Sequence, residues 1–137
     1  MCSSLAKVDS EVKEILQGEL FRQQKNLTLV PSENYASRAV LEAESSVLIN
    51  KYAEGYPQKR YYRGCHFADE IEKLAIQRAK ELFKCNHVNV QVHSGTQANM
   101  AVYQALLKPR DVILSLSLPA GGHLSHGKEG TFPYKYH

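Results

Sequence analysis

No run of apolar residues in the 137-residue sequence is long enough to cross a bilayer, so a membrane-spanning helix is not expected. There is no block of lysine and arginine either. The net charge is only +3 and the basic residues are scattered, which leaves no track for nucleic acid. The opening stretch, MCSSLAKVDSEVKE, lacks the basic segment and apolar core of a secretory signal, and its acidic residues argue against a transit peptide. Cysteine is scarce: Cys2, Cys65 and Cys85 are an odd set without metal-like spacing. With no sign of export they read as reduced thiols of a cytosolic protein. Internal repeats and low-complexity segments are missing. So are GxxxxGK[ST] and GxGxxG, which disfavours a nucleotide-binding fold. What remains is an ordinary balance, 43% hydrophobic and 23% charged, suited to one modest globular domain or a piece of a larger one.

The elements follow from periodicity. Val8, Val12, Ile15, Leu16 and Leu20 recur at helical spacing, and Asp9, Glu11 and Glu14 suit the positive end of a helix over 9–25. That stripe has to pack on the body or on a partner chain. Leu27 to Val30 is extended and stopped by Pro31. A second helix starts with Ser37 as N-cap and runs through Val40, Leu41, Val47 and Leu48. A long loop from Lys51 to about Phe67 is crowded with hydrogen-bonding groups, the mark of a functional segment. The clearest helix spans 69–84, with Ile71, Leu74, Ala75, Ala79, Leu82 and Phe83 on one face and an end near Asn86. Val88, Val90 and Val92 alternate as in a strand, Ser94-Gly95-Thr96 is a small-residue turn, and a helix runs from about Gln97 to Leu107. A second strand covers Val112 to Leu116. Together these predict a βαβ unit and an α/β fold with a largely parallel sheet, followed by a Gly- and His-rich loop from Leu118.

Three places could carry chemistry. At Ser94-Gly95-Thr96, unpaired N–H groups, the positive end of the helix dipole, a glycine and two hydroxyls suit a phosphate. Equally, Ser94 or Thr96 could simply cap the helix. Gly121-Gly122-His123-Leu124-Ser125-His126 follows the second strand, where ligands of such sheets bind, so this loop and the Ser94 turn should meet on one edge. A histidine there could stack on a flat cofactor or handle a proton, could serve a metal together with His93 and His126, or could have no role. No cysteine or carboxylate completes a familiar metal spacing, and no metal is expected. In YAEGYP, Glu54 is a candidate acid or base, while the tyrosines around it could hold a ligand or make subunit contacts. A hydrolase is disfavoured: Ser94 follows His93, but there is no G-x-S-x-G elbow.

In the order VPSENY, NKYAEGYP, KRYYRGC, VHSGTQANMAVY and AGGHLSHG, these motifs resemble serine hydroxymethyltransferase from about Leu27 to Gly127. The combination is specific where each piece alone is not, and KYAEGYP with RYY separates it from other relatives of the fold. The resemblance implies the amino-terminal part of a fold-type-I, aspartate aminotransferase-like large domain that binds pyridoxal 5'-phosphate. A helical arm over 1–30 would precede a partial large domain over 31–137. It implies a cytoplasmic enzyme of one-carbon metabolism that interconverts serine plus tetrahydrofolate with glycine plus 5,10-methylenetetrahydrofolate, dimeric or tetrameric at full length.

By the same resemblance, Ser94 and Gly95 bind the cofactor phosphate with Thr96 beside them, which favours that reading over the cap, although one residue can do both. His123 stacks on the pyridoxal ring, and Asn99 supports the site from the helix. Ser32 lies near the carboxylate of the amino acid. Tyr52 and Glu54 are lent to the neighbouring subunit's site, Tyr52 toward the cofactor and Glu54 as proton carrier at the hydroxymethyl group or the folate. Tyr62 sits near the amino acid, and Tyr61, Leu118, Gly122 and Leu124 are folate contacts. Two positions depart from the family pattern. Arg63 stands where many members have a second glycine, and Ala120 where many have histidine. The family's Schiff-base lysine, in a TTTTHK-like run, lies further along, as do the aspartate at the pyridine nitrogen and the carboxylate-gripping arginine. Lys108, Lys128 and Lys135 sit in other contexts. The isolated chain is therefore expected to be inactive. The alternative is a short non-catalytic isoform that docks on the full-length enzyme through the arm and the Tyr52–Tyr62 loop.

Overall fold

A computed structural model describes residues 4–131 and 133–135; Cys2 lies outside them. The chain divides into two units, Met1–Ile49 and Asn50–His137, each described here by itself. No described helix is long and apolar enough to cross a membrane.

In the first unit a short helix α1 (Leu5–Val8) precedes α2 (Ser10–Lys25). Asp9 starts α2: its carboxylate accepts the Val12 N–H at 3.0 Å, satisfying one of the donors a helix start leaves unpaired. Arg22 and Lys25 lie in the last turn, where the dipole favours cations, and Asn26 ends the helix by donating from its backbone and side chain to the Arg22 carbonyl. Glu19 accepts from Arg22 and Gln23, and these bonds hold its carboxyl down to about 2, Arg22 contributing most. The apolar stripe of α2 is uncovered in the structure, with Ile15 at 70% and Leu20 at 56% exposure.

Ser37 caps α3 (Arg38–Glu44), its hydroxyl accepting the Val40 N–H. The helix does not continue through Leu48 as its periodicity suggests. It stops at Ser45, whose hydroxyl donates back to the Glu42 carbonyl, and a separate 3₁₀ turn covers Val47–Asn50. Serine side chains compete in this way for helix carbonyls.

The second unit opens with a β-hairpin, β1 (Gly55–Tyr56) and β2 (Lys59–Arg60), paired antiparallel with Gly55 opposite Arg60. It lies inside what the sequence presents as a loop. Pro57 followed by Gln58 at φ 67° gives the pattern of a type II turn. Glutamine is an uncommon residue for the left-handed position; its N–H is bound by the Asp69 carboxylate at 2.7 Å. Helix α4 (His66–Phe83) begins before Asp69 and ends at Lys84, itself left-handed at φ 51°, with Cys85 donating to the Lys80 carbonyl.

The expected parallel sheet does not form among the described residues, whose sheet is the two-stranded hairpin alone. Neither 87–92 nor 112–116 is a strand. A strand exists only through a neighbour's hydrogen bonds. Here Gln91 instead donates its N–H to the Asn89 side chain, a local turn, and uses its own side chain to reach the Gly55 carbonyl and Glu72. Val112 and Leu114 are 92% and 98% exposed and pair with nothing in a ladder. Helix α5 (Gly95–Leu106) packs on the 3₁₀ turn Leu124–His126. The buried residues among those described are Cys65, Ser125 and Pro133, and all three belong to this unit.

Candidate functional site

Ser94 is the N-cap of α5: extended at φ −157°, it accepts the Gln97 N–H on its hydroxyl at 3.1 Å. Its carbonyl takes the Ala98 N–H, and the Gln97 side chain takes the N–H of His93. A Cβ placed on Gly95 would meet no atom within 4 Å. The cap is thus observed. It takes up the Gln97 N–H, and helix starts in general suit a phosphate.

One and a half turns further along, or about 7.5 Å at helical rise, Asn99 reaches into the histidine loop. Its amide donates to the Ser125 hydroxyl at 2.6 Å. Ser125 is 1% exposed and shares a 2.8 Å hydrogen bond with Nδ1 of His123. The Ser125 backbone N–H also donates to that nitrogen, at 3.1 Å. A backbone N–H can only donate, so His123 Nδ1 is an acceptor and the neutral ring carries its hydrogen on Nε2. The His123 N–H in turn donates to Nδ1 of His126 at 3.1 Å, and the two rings meet edge to face with centroids 5.8 Å apart. His123 is exposed while its Nδ1 is tied down. The sequence expected the Ser94 turn and the histidine loop to meet on one sheet edge. The structure joins α5 to that loop through Asn99, without the sheet.

Gly122 has a packing reason of its own. A Cβ there would stand 1.9 Å from the Leu116 carbonyl oxygen, and its N–H donates to Ser117. Leu118 and Leu124 lie nearby in the chain, each about half exposed. A recess of about 510 Å³ opens between Ser115–Pro119 and His123, His126 and Lys128. Among the described residues, no three His, Cys, Asp or Glu side chains converge as a metal would need.

The tyrosine segment forms a second group. Tyr52 and Tyr62 meet edge to face with centroids 6.4 Å apart, and Lys51 lies 5.9 Å from the Tyr62 ring centroid while donating to the Tyr52 carbonyl. Beneath them the buried Cys65 thiol donates to the Tyr62 carbonyl at 3.3 Å. Glu54 and Tyr61 are exposed and linked by backbone, the Tyr61 N–H donating to the Glu54 carbonyl. Among the described residues no hydrogen bond joins this group to His123. Ser32 is exposed in the turn after Val30, in the first unit. A further recess of that unit, about 520 Å³, is lined by Arg22, Thr28, Glu33 and Tyr35 among others.

Sequence reasoning missed Arg60, whose side chain donates to four groups among the described residues. Only 5% exposed, it donates to Asp69, Glu72 and the carbonyls of Ala53 and Gly55. Its hydrogen bond to Glu72, then that to Asp69, raises its pKa above the usual arginine value. Arg60, followed by the Gln58 N–H, lowers that of Asp69. An arginine among the basic residues of a tyrosine-rich loop carries no signal of its own; only the alignment of Asp69 and Glu72 one turn apart on a helix hints at it.

Compared with known proteins, residues 5–134 match the sequence model of serine hydroxymethyltransferase. The serine hydroxymethyltransferase of Halorubrum lacusprofundi is 63% identical over 92% of this chain and 30% of its own length. That of Phytoplasma australiense is 56% identical over the whole chain and 33% of its length, and that of Mycoplasma capricolum 60% over 88% and 29%. The chain therefore spans about a third of the length of the curated relatives it matches.

Proposed function

The chain belongs to the serine hydroxymethyltransferase family, corresponding to its amino-terminal portion, and from that premise we propose that it carries the phosphate turn and the ring-stacking histidine of a pyridoxal 5'-phosphate site. The reaction served is the exchange of a hydroxymethyl group between serine and tetrahydrofolate. The observation that carries this reading is the Asn99–Ser125–His123 chain of hydrogen bonds, which ties a histidine ring to the helix that Ser94 starts.

When bound, the cofactor supplies an electron sink for bond cleavage at the amino acid. The chain's own residues bind and orient. Ser94, Gly95 and Thr96 hold the phosphate, Ser94 doing so while it caps α5. His123 covers the ring and Asn99 steadies it through Ser125. Ser32 and Tyr62 lie with the amino acid. Tyr52 and Glu54 serve a neighbouring subunit, Glu54 carrying the proton at the hydroxymethyl group or the folate. Tyr61, Leu118, Gly122 and Leu124 meet the folate. Residues 1–30 act as the arm and 31–137 as part of the large domain, in a cytoplasmic dimer or tetramer. The sequence has no TTTTHK-like lysine run, so the isolated chain turns over little or nothing. One observation favours a second reading, a non-catalytic isoform docking on the full-length enzyme: the uncovered apolar stripe of α2.

The test is a pyridoxal-phosphate titration of the 137-residue chain followed by absorbance. Aspartate caps helices as well as serine but repels a phosphate. Ser94→Asp should therefore keep the circular dichroism of α5 and abolish weak, reversible binding, and His123→Ala should weaken it. Binding unchanged in both variants removes the proposed site. A band that borohydride fixes to one lysine removes the expectation of inactivity.

A further inference from the structure

Glu54 is exposed, yet the chain on both sides of it is fixed. The carbonyl before it, on Ala53, and the carbonyl after it, on Gly55, both accept from the same nitrogen, Nη1 of Arg60, at 2.6 and 2.7 Å. The Glu54 carbonyl accepts the Tyr61 N–H at 3.2 Å. On its other sides the Arg60 guanidinium donates to Asp69 Oδ1 at 2.7 Å and to Glu72 Oε2 at 2.6 Å, one turn apart on α4. Gln91 adds a second donor to the Gly55 carbonyl at 2.9 Å and to Glu72 at 2.7 Å. Gly55 cannot take a side chain here: at φ 95° a Cβ would stand 2.3 Å from the Lys59 carbonyl.

We propose that Arg60 is a positioning residue for Glu54: its guanidinium spans the two peptide carbonyls that flank this carboxylate and ties them to α4, so that the side chain is presented from a fixed backbone. Tying the hairpin to α4 needs only the bonds to Asp69 and Glu72. The double contact of Nη1 does something further, since it acts on the residues either side of Glu54. A planar fork with five donors can serve four acceptors at once, and an ammonium cannot. The inference rests on the reading of Glu54 as a proton carrier, which needs a fixed point of departure for the proton.

The test uses ¹⁵N-labelled chain. In the unmodified protein, slow rotation about the Arg60 Cζ–Nη bonds should give resolved Nη signals, with hydrogen-bond couplings from Nη1 to the Ala53 and Gly55 carbonyls. One averaged Nη signal overturns the proposal without any variant. In Arg60→Lys the Tyr61 amide should exchange about tenfold faster or more, as loss of charge-assisted hydrogen bonds allows, and the Glu54 amide should gain fast motion while the α4 amides keep their protection. Unchanged Glu54 and Tyr61 amides overturn it. If Arg60→Lys fails to fold, the couplings in the unmodified chain decide. Glu54→Gln separates the two claims: the ordering of residues 53–55 should persist in it. Loss of that ordering counts against the clamp, whereas hydroxymethyl transfer that survives the matching Glu→Gln change in a full-length member of the family removes the proton carrier and leaves the clamp standing.

Discussion

Ser125 is the most enclosed side chain of the histidine loop, and two of its groups act on one nitrogen of His123. The backbone N–H alone fixes Nδ1 as an acceptor, so Ser125→Ala should leave His123 in the Nε2–H form. What that variant removes is the acceptor for Asn99. A half-buried amide without its partner costs about 1–2 kcal/mol, and chemical denaturation should show a loss of that order. Long-range ¹H–¹⁵N spectra check the first half: an Nδ1–H signal from the neutral ring would contradict the geometry. The Ser94 turn behaves similarly, because Ser94 serves its helix whether or not the proposed phosphate is present. For that reason a plain Ser94→Ala cannot separate the two roles, and Ser94→Asp can.

Among the elements, three helix starts were legible, while the start of α4 at His66 and the strands were not. Asp9, Ser37 and Ser94 each precede an apolar-periodic run and each accept an N–H three residues on, a contact made within one turn and therefore written locally. Val88, Val90 and Val92 have the right period, but a strand also needs a neighbour, which a local pattern does not contain. The hairpin was hidden for the opposite reason: two-residue strands are too short to show a period, and their stability comes from Arg60, Asp69 and Glu72. Asp69 makes this tie sensitive to acid. An ordinary aspartate ionises near 3.9, and the Arg60 guanidinium, with the Gln58 N–H, lowers the native value below that. Its contribution to stability is complete above the unfolded value and is lost as pH falls through the lowered native one. Acid titration followed by amide exchange in 55–60 should therefore show the hairpin loosening below about pH 4, and Asp69→Asn should flatten that dependence while lowering protection at neutral pH. A wild-type hairpin whose protection stays level from neutrality down to about pH 2 would count against it.

For the molecule as a whole, the contrast is between well-satisfied polar groups and poorly covered apolar ones. Ile15, Leu16 and Leu20 on α2 and Val8 at the end of α1 are all more than half exposed. Such a contiguous stripe drives association in water. Sedimentation velocity of the chain should show concentration-dependent self-association, and Ile15→Glu with Leu16→Glu should reduce it; a monomer at every concentration would mean the stripe is not the contact. The Arg60 clamp has a different consequence, for proteases. Trypsin must draw a basic side chain into its own pocket, and at Arg60 that side chain is already fully engaged. Of the three basic residues Lys59, Arg60 and Arg63, only the outer two are exposed. Brief digestion of the native chain should cut after Arg63 or Lys59 and spare the Arg60–Tyr61 bond, so that the uncut peptide itself reports that the clamp is closed.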